Sequence, residues 1–182
     1  MIPRATKDDS VLVLIDFQER LMPAMVNADK VLKTTRKLIE GVNEFEIPII
    51  VTQQYTNGMG PTVPELAPEI GDFEPVEKKE FSCMQNEEFV KKLEETGRGT
   101  VIVAGCETHV CVQQTVLDLL EAGYSVIVAG DCVSSRKRYT RNTALALMNS
   151  EGAEISAYEA ILFDILQTAD DPRFKAISKI VK

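Results

Sequence analysis

Three residues far apart in the chain carry groups that could do chemistry together: Asp16, Lys78 and Cys111. A thiol can attack a carbonyl carbon, and a carboxylate can take the thiol's proton. A lysine can hold that carboxylate ionised and bind the charge that develops on a substrate. Cys111 follows an apolar β-branched run, 101–104, then Gly105 and the tight segment 106–110, and it opens a helical pattern. At such a junction backbone N–H groups are unpaired and the helix dipole is positive. A thiol there is expected to lose its proton more easily than a free one, and the same amides are placed to stabilise an oxyanion. Each residue also has a plainer reading: Cys111 as a small core residue, Asp16 as an acid bonded to a loop amide, and Lys78 as an exposed lysine. Their joint placement at strand ends favours nucleophilic catalysis.

The elements that must position them follow from hydrophobic period. Residues 11–15 are an uninterrupted apolar run ending in Asp16, as expected of a central parallel strand. Asp29 caps a predicted helix over 30–45, and 47–52 is the next strand, with Pro48 at its start where it is tolerated. Residues 53–76 lack either period and hold five glycines and prolines between Gly58 and Pro68. A connection this long reads as a lid or a subunit contact. A short strand over 76–79, a helix over 86–96, a strand over 101–104 and a helix from 111 to Gly123 come next. A strand over 124–129, a helix over 135–150, a strand over 153–156, a helix over 158–168 and an amphipathic tail (Phe174, Ile177, Ile180, Val181) complete the chain. The alternation predicts one α/β domain over 1–182: a three-layer, doubly wound, Rossmann-like, mostly parallel sheet of about six strands. In such sheets ligands bind at the C-terminal strand edge where the strand order reverses, and the three residues fall near such strand ends.

The totals exclude several classes. With 28 acidic and 20 basic residues the net charge is −8, which argues against nucleic acid and anionic membrane as partners. Four cysteines (83, 106, 111, 132) without metal spacing and a single histidine predict no zinc site, and no metal or cofactor is expected. No apolar run is long enough for a bilayer, and no basic-apolar leader opens the chain, so a reducing, cytoplasmic setting is expected. The sequence after the first strand, D-F-Q-E-R, has no phosphate-binding glycines. Cys83, Cys106 and Cys132 read as buried apolar residues, and the basic run at 136–138 with Arg141 as a solvated helix start or subunit contact, with an anionic substrate as the rarer reading.

D-F-Q after the first strand, K-K-E-F-S-C-M in the middle, and G-C-E-T-H-V-C-V followed by A-G-Y-S-V-I-V-A-G-D together resemble the isochorismatase-like cysteine hydrolases, nearly end to end. Y-T-N-G-M-G-P-T-V-P-E-L and D-C-V-S-S-R are similar to the isochorismatase domain-containing subgroup. The resemblance implies a catalytic triad of Asp16, Lys78 and Cys111. The lysine is chosen because it precedes Phe81-Ser82 by three residues, with Lys79 as second choice. It further implies a non-proline cis peptide between Cys106 and Glu107 that aims the amides of Glu107 and Cys111 at one oxyanion, with Thr108 bracing the turn. Gln18, Gln54, Tyr55 and Thr108 would line the pocket, and His109 would be a base only as a minor alternative. The family's nicotinamidases carry metal-binding histidines after the second strand, where this chain has T-Q-Q-Y-T-N-G, so nicotinamidase activity is not expected. Cysteine-free relatives cleave a vinyl ether, and the presence of Cys111 speaks against that reaction. The reading is a hydrolase of a small amide or related C–N or ester bond acting through a thioester, as a homo-oligomer with the 53–76 connection and the apolar C-terminal tail as candidate contacts. The rival is a binding or thiol redox-sensing protein on the same fold.

Overall fold

The computed structural model describes residues 4–182. Six strands form one sheet: β1 (Ser10–Ile15), β2 (Ile49–Gln54), β3 (Val76–Lys78), β4 (Thr100–Cys106), β5 (Ser125–Ser134) and β6 (Glu154–Ser156). Their order is β3-β2-β1-β4-β5-β6 and every pairing is parallel. The order reverses between β1 and β4, so the crevice expected to hold a ligand opens between the ends of those two strands.

Helices cover both faces: α1 (Ala28–Glu44), α2 (Thr56–Met59), α3 (Ala67–Ile70), α4 (Glu87–Glu95), α5 (Gln113–Glu121), α6 (Arg138–Ser150), α7 (Tyr158–Leu166) and α8 (Phe174–Val181). Successive strand side chains point to opposite faces. Leu12, Leu14, Ile102, Ala104 and Ile127 accordingly pack with Leu38, Ile161, Leu162 and Ile177 from α1, α7 and α8. Val11, Val13, Ile15, Val101, Val103 and Val126 pack with Phe89, Val116, Leu119 and Met148 from α4, α5 and α6. Every residue of β1 and β4 is buried, which is why both read as unbroken apolar runs.

Three departures from the sequence expectation matter for the site. β5 does not stop at Gly130 but continues to Ser134, leaving β4 after Val128 and rejoining it through Val133 with Gly105 and Ser134 with Cys106. This carries Ser135 and Arg136 up to the segment before Cys111. The 53–76 connection contains α2 and α3 and is stitched to the residues after β1. The Glu19, Arg20 and Val63 N–H groups donate to Pro61, Met59 and Phe17 carbonyls at 3.1, 3.0 and 2.9 Å, making a fixed wall rather than a swinging lid. The C-terminal tail spends its apolar side within the chain, with Ile177 fully buried and Phe174, Ile180 and Val181 packed on the same core. It is therefore not a free apolar surface for a second subunit.

Candidate active site

Asp16 ends β1 with a left-handed backbone (φ 55°), a conformation that aspartate tolerates better than most residues. Its side chain is wholly buried. Lys78 closes β3, and Nζ donates to Asp16 Oδ2 at 2.7 Å. The other oxygen, Oδ1, accepts from Thr52 Oγ1 at 2.8 Å. Lys78 Nζ also donates to Gln54 Oε1 at 2.7 Å and to the Glu80 and Phe81 carbonyls at 3.3 and 3.4 Å. A buried ion pair is tolerated only when its remaining donors and acceptors are satisfied, and this one is. Burial is the largest single influence and lowers the Lys78 pKa, but the charge and hydrogen bond of Asp16, with the neighbouring Cys83 and Cys111, together outweigh it and the net shift is upward. Lys79, one residue on, is exposed: strand alternation turns one lysine inward and the other to solvent.

Cys111 lies after β4, across the crevice. The Cys106–Glu107 peptide is cis, and residues Thr108–Val112 form a π-turn that runs directly into α5. The helix therefore starts three residues earlier than its hydrophobic period predicts. The turn has a chemical consequence. In a regular α-turn the Cys111 N–H would bond the Glu107 carbonyl. Here that carbonyl accepts from Val110 at 3.1 Å and Val112 at 3.3 Å. Cys111 N–H has no backbone acceptor outside its own turn. The Glu107 and Cys111 amides thus stand at the start of the turn and at the thiol-bearing residue itself.

The thiol itself contradicts the expectation of an acidic cysteine. Its pKa is pushed up to about 12, first by burial, then by the negative charge of Asp16, with Lys78 opposing and hydrogen bonding to Asp16 adding to the rise. Only 6% of Cys111 is exposed. Loss of water disfavours the charged thiolate and the charge of Asp16 adds to it, so a place at a helix start does not make this thiol acidic. The resting group is a protonated thiol beside a carboxylate.

The surrounding turn is held from β5 and α5. Glu107 Oε2 accepts from the Arg136 backbone N at 3.2 Å and Nε at 2.9 Å. His109 Nδ1 lies 3.0 Å from Ser135 Oγ, so the imidazole is engaged in bracing the turn. Thr115 Oγ1 donates to the Cys111 carbonyl at 2.7 Å and accepts from Cys83 N at 2.9 Å. Thr108 was expected to brace the turn and line the pocket. It is fully buried, and its hydroxyl has no partner among the described residues. Gln18, also expected in the pocket, is spent on the protein: Nε2 donates to the Gln54 and Gly60 carbonyls at 3.1 and 2.7 Å, and Oε1 accepts from Gln54 N at 2.7 Å. Gln54 is half-buried against Lys78, and Tyr55 is exposed with its backbone N–H on the Lys78 carbonyl at 3.0 Å. Sequence reasoning missed Thr52 and Thr115. The only signal for Thr52 is a hydroxyl at the end of an otherwise apolar strand.

Among the described residues no group of three or more His, Cys, Asp or Glu is gathered as a metal site, and no helix is long and apolar enough to cross a membrane. All four cysteines are buried and free.

Comparison with known proteins bears on the family and the fold. Residues 10–160 match the Isochorismatase domain. The chain is 34% identical over 172 residues to isochorismatase domain-containing protein 2 of Xenopus laevis, covering 94% of this chain and 83% of that protein. It is 35% identical to the secreted isochorismatase effector Isc1 of Phytophthora sojae, covering 98% and 87%. Among solved structures, the MAR1 ribonuclease of Caenorhabditis elegans superposes with a TM-score of 0.92 at 35% identity, covering 98% of this chain and 92% of that one. The YcaC gene product of Escherichia coli, an octameric hydrolase of unknown specificity, superposes with a TM-score of 0.93 at 26% identity, covering 99% and 90%.

Proposed function

Since the chain belongs to the isochorismatase family and is a hydrolase of that family, we propose that it cleaves a small amide, or a related C–N or ester bond, through a thioester on Cys111. The observation that carries this reading is the buried Asp16–Lys78 pair at 2.7 Å beside the protonated thiol of Cys111. Asp16 takes the Cys111 proton as the sulfur attacks the carbonyl carbon. The Glu107 and Cys111 N–H groups hold the resulting oxyanion. Asp16 returns the proton to the leaving amine as the C–N bond breaks. It then takes a proton from the water that attacks the thioester, and the acid is released as the thiol re-forms. Asp16 passes that proton to the departing sulfur, and Lys78 keeps the carboxylate oriented and restores its ionised form between proton transfers.

A protonated, nearly inaccessible thiol favours this scheme over redox sensing, which needs an exposed thiolate. The Caenorhabditis elegans neighbour raises ribonuclease activity as a rival reading. The excess of 28 acidic over 20 basic residues and a lone histidine already bonded to Ser135 oppose it. The protein acts on a small molecule rather than nucleic acid or membrane. It assembles as a homo-oligomer, in line with the octamer of the Escherichia coli neighbour. Four unpaired buried thiols suit a reducing compartment such as the cytoplasm, although the Phytophthora sojae relative is secreted.

The test is a panel of small amides and carbamoyl compounds with ammonia detection, an RNA arm, and mass spectrometry for an acyl adduct. Turnover with a thioester mass on Cys111, abolished in Cys111→Ala, is expected. Undiminished turnover in Cys111→Ala, or RNA cleavage in place of amide cleavage, overturns the scheme.

A further inference from the structure

A cavity of about 350 Å³ lies apart from the thiol, walled by the start of α1, the end of β5 and the start of α6. Its chemistry runs against that of the whole chain. In a protein with net charge −8, the lining holds three cations, Lys30, Arg138 and Arg141, and one carboxylate, Asp131. Among the described residues neither Lys30 nor Arg138 has a carboxylate at ion-pair distance. Asp131 is already in use, because its Oδ1 accepts from Tyr158 N at 2.9 Å.

Arg141 is the organised member. It is half-buried, with Nε donating to the Val133 carbonyl at 3.0 Å, Nη2 to the Gly130 carbonyl, and Nη1 to Asn142 Oδ1 at 3.1 Å. A guanidinium has five N–H groups in a fixed fork, so two are left over and cannot turn away. Such preorganisation lowers the entropic cost of gripping an oxyanion. Burial depresses the Arg141 pKa, Asp131 opposes this, and Arg138 adds to it by repulsion. A bound anion would relieve that repulsion.

We propose that this cavity is a binding site for a compact tetrahedral dianion, a free phosphate or the head group of a phosphate monoester. The charge count selects the class: three cations against one carboxylate leave two positive charges, which a dianion neutralises and a monocarboxylate does not. Arginine forks match the oxygens of phosphate in geometry as well as charge. The volume admits the head group and a small organic substituent. The site stands independently of the thiol chemistry, and no catalytic residue lines it.

Isothermal titration of the full chain with inorganic phosphate, phenyl phosphate, sulfate and acetate at fixed ionic strength tests it. Saturable binding of phosphate or phenyl phosphate and of sulfate, but not acetate, is expected; the stronger of the two phosphate probes tells free anion from monoester. The double variant Lys30→Gln/Arg138→Gln, which alters exposed side chains only, should weaken phosphate binding by about tenfold or more. A control that removes two exposed cations elsewhere, Lys91→Gln/Lys175→Gln, should leave it unchanged. Absence of saturation below about 10 mM phosphate, equal binding of acetate, no loss in the site variant, or the same loss in the control overturns the proposal.

Discussion

Asp16 pulls Cys111 in two directions, and the signs can be separated. After burial, which is the larger cause, its charge and hydrogen bonding help to hold the thiol protonated, yet its carboxylate is the base the reaction needs. In Asp16→Asn the group that raises the Cys111 pKa is lost. If Lys78 stays charged, it lowers the thiol pKa further; if Lys78 is neutral, the larger of the two opposing charges has still been removed. Iodoacetamide labelling of Cys111 at pH 8 should therefore be faster in Asp16→Asn than in the wild type, while turnover falls by about 100-fold or more. Labelling that slows along with turnover would remove Asp16 from beside the sulfur. Thr52 offers a gentler probe. Its hydroxyl bonds Asp16 Oδ1 at 2.8 Å in a fully buried position. Thr52→Val keeps the shape and deletes a bond to a charged group, worth about 1.5–3 kcal/mol. A fall in kcat of about 10- to 100-fold is expected, with recovery in Thr52→Ser. A loss that Ser does not repair would point to packing instead.

At the scale of elements, the site depends on how closely β1 and β4 approach. Gly105 precedes the cis peptide with φ 153°, and a Cβ there would stand 2.4 Å from the Ile15 carbonyl oxygen. That neighbour is backbone inside a fully buried strand, so neither partner can give way cheaply. Gly105→Ala is expected to destabilise the fold by about 2–4 kcal/mol, read from the urea midpoint, and to open the crevice between Asp16 and the Cys111 turn. An unchanged midpoint would show that the strands separate at little cost. Thr115 works from the other side: its hydroxyl ties the Cys83 N–H to the Cys111 carbonyl, joining the start of α5 to the segment that follows Lys78.

For the molecule as a whole, the buried thiols set the alkaline limit of stability. Cys83 is raised from 9.0 to about 11 and Cys111 to about 12, both chiefly by burial. Burial drives Cys106 and Cys132 upward as well, and Lys78, which burial lowers, is carried above its usual 10.5 by Asp16, Cys83 and Cys111 together. Above pH 9 the unfolded chain gives up thiol protons that the native state keeps, so the unfolded state binds fewer protons and stability falls as pH rises. The loss should begin near pH 9 and grow by up to about 1.4 kcal/mol per thiol per pH unit until each native pKa is reached, with Lys78 adding the same sign above 10.5. Urea melts at pH 8 and pH 10 check this, and equal stability at the two values would refute the burial of the thiols.

The central layer was legible because burial on both faces demands unbroken apolar runs, which is why residues 11–15 and 101–104 announce β1 and β4. The placement of Asp16, Lys78 and Cys111 at strand ends followed from the same runs, and the family from the motifs around them. Sequence period alone could not tell Lys78 from Lys79, since that depends on which face β3 presents once it pairs with β2. Nor could it show that Gln18 is saturated by Gln54 and Gly60, that β5 rejoins β4 to deliver Ser135, or that a π-turn gives the Glu107 carbonyl to Val110 and Val112 instead of Cys111. Each of these is set by contacts between segments distant in the chain. The sharpest case is the thiol: local sequence placed it at a helix start and favoured ionisation, whereas its protonation is governed by exclusion of water and by a carboxylate 95 positions away in the chain, quantities that exist only once the chain has folded.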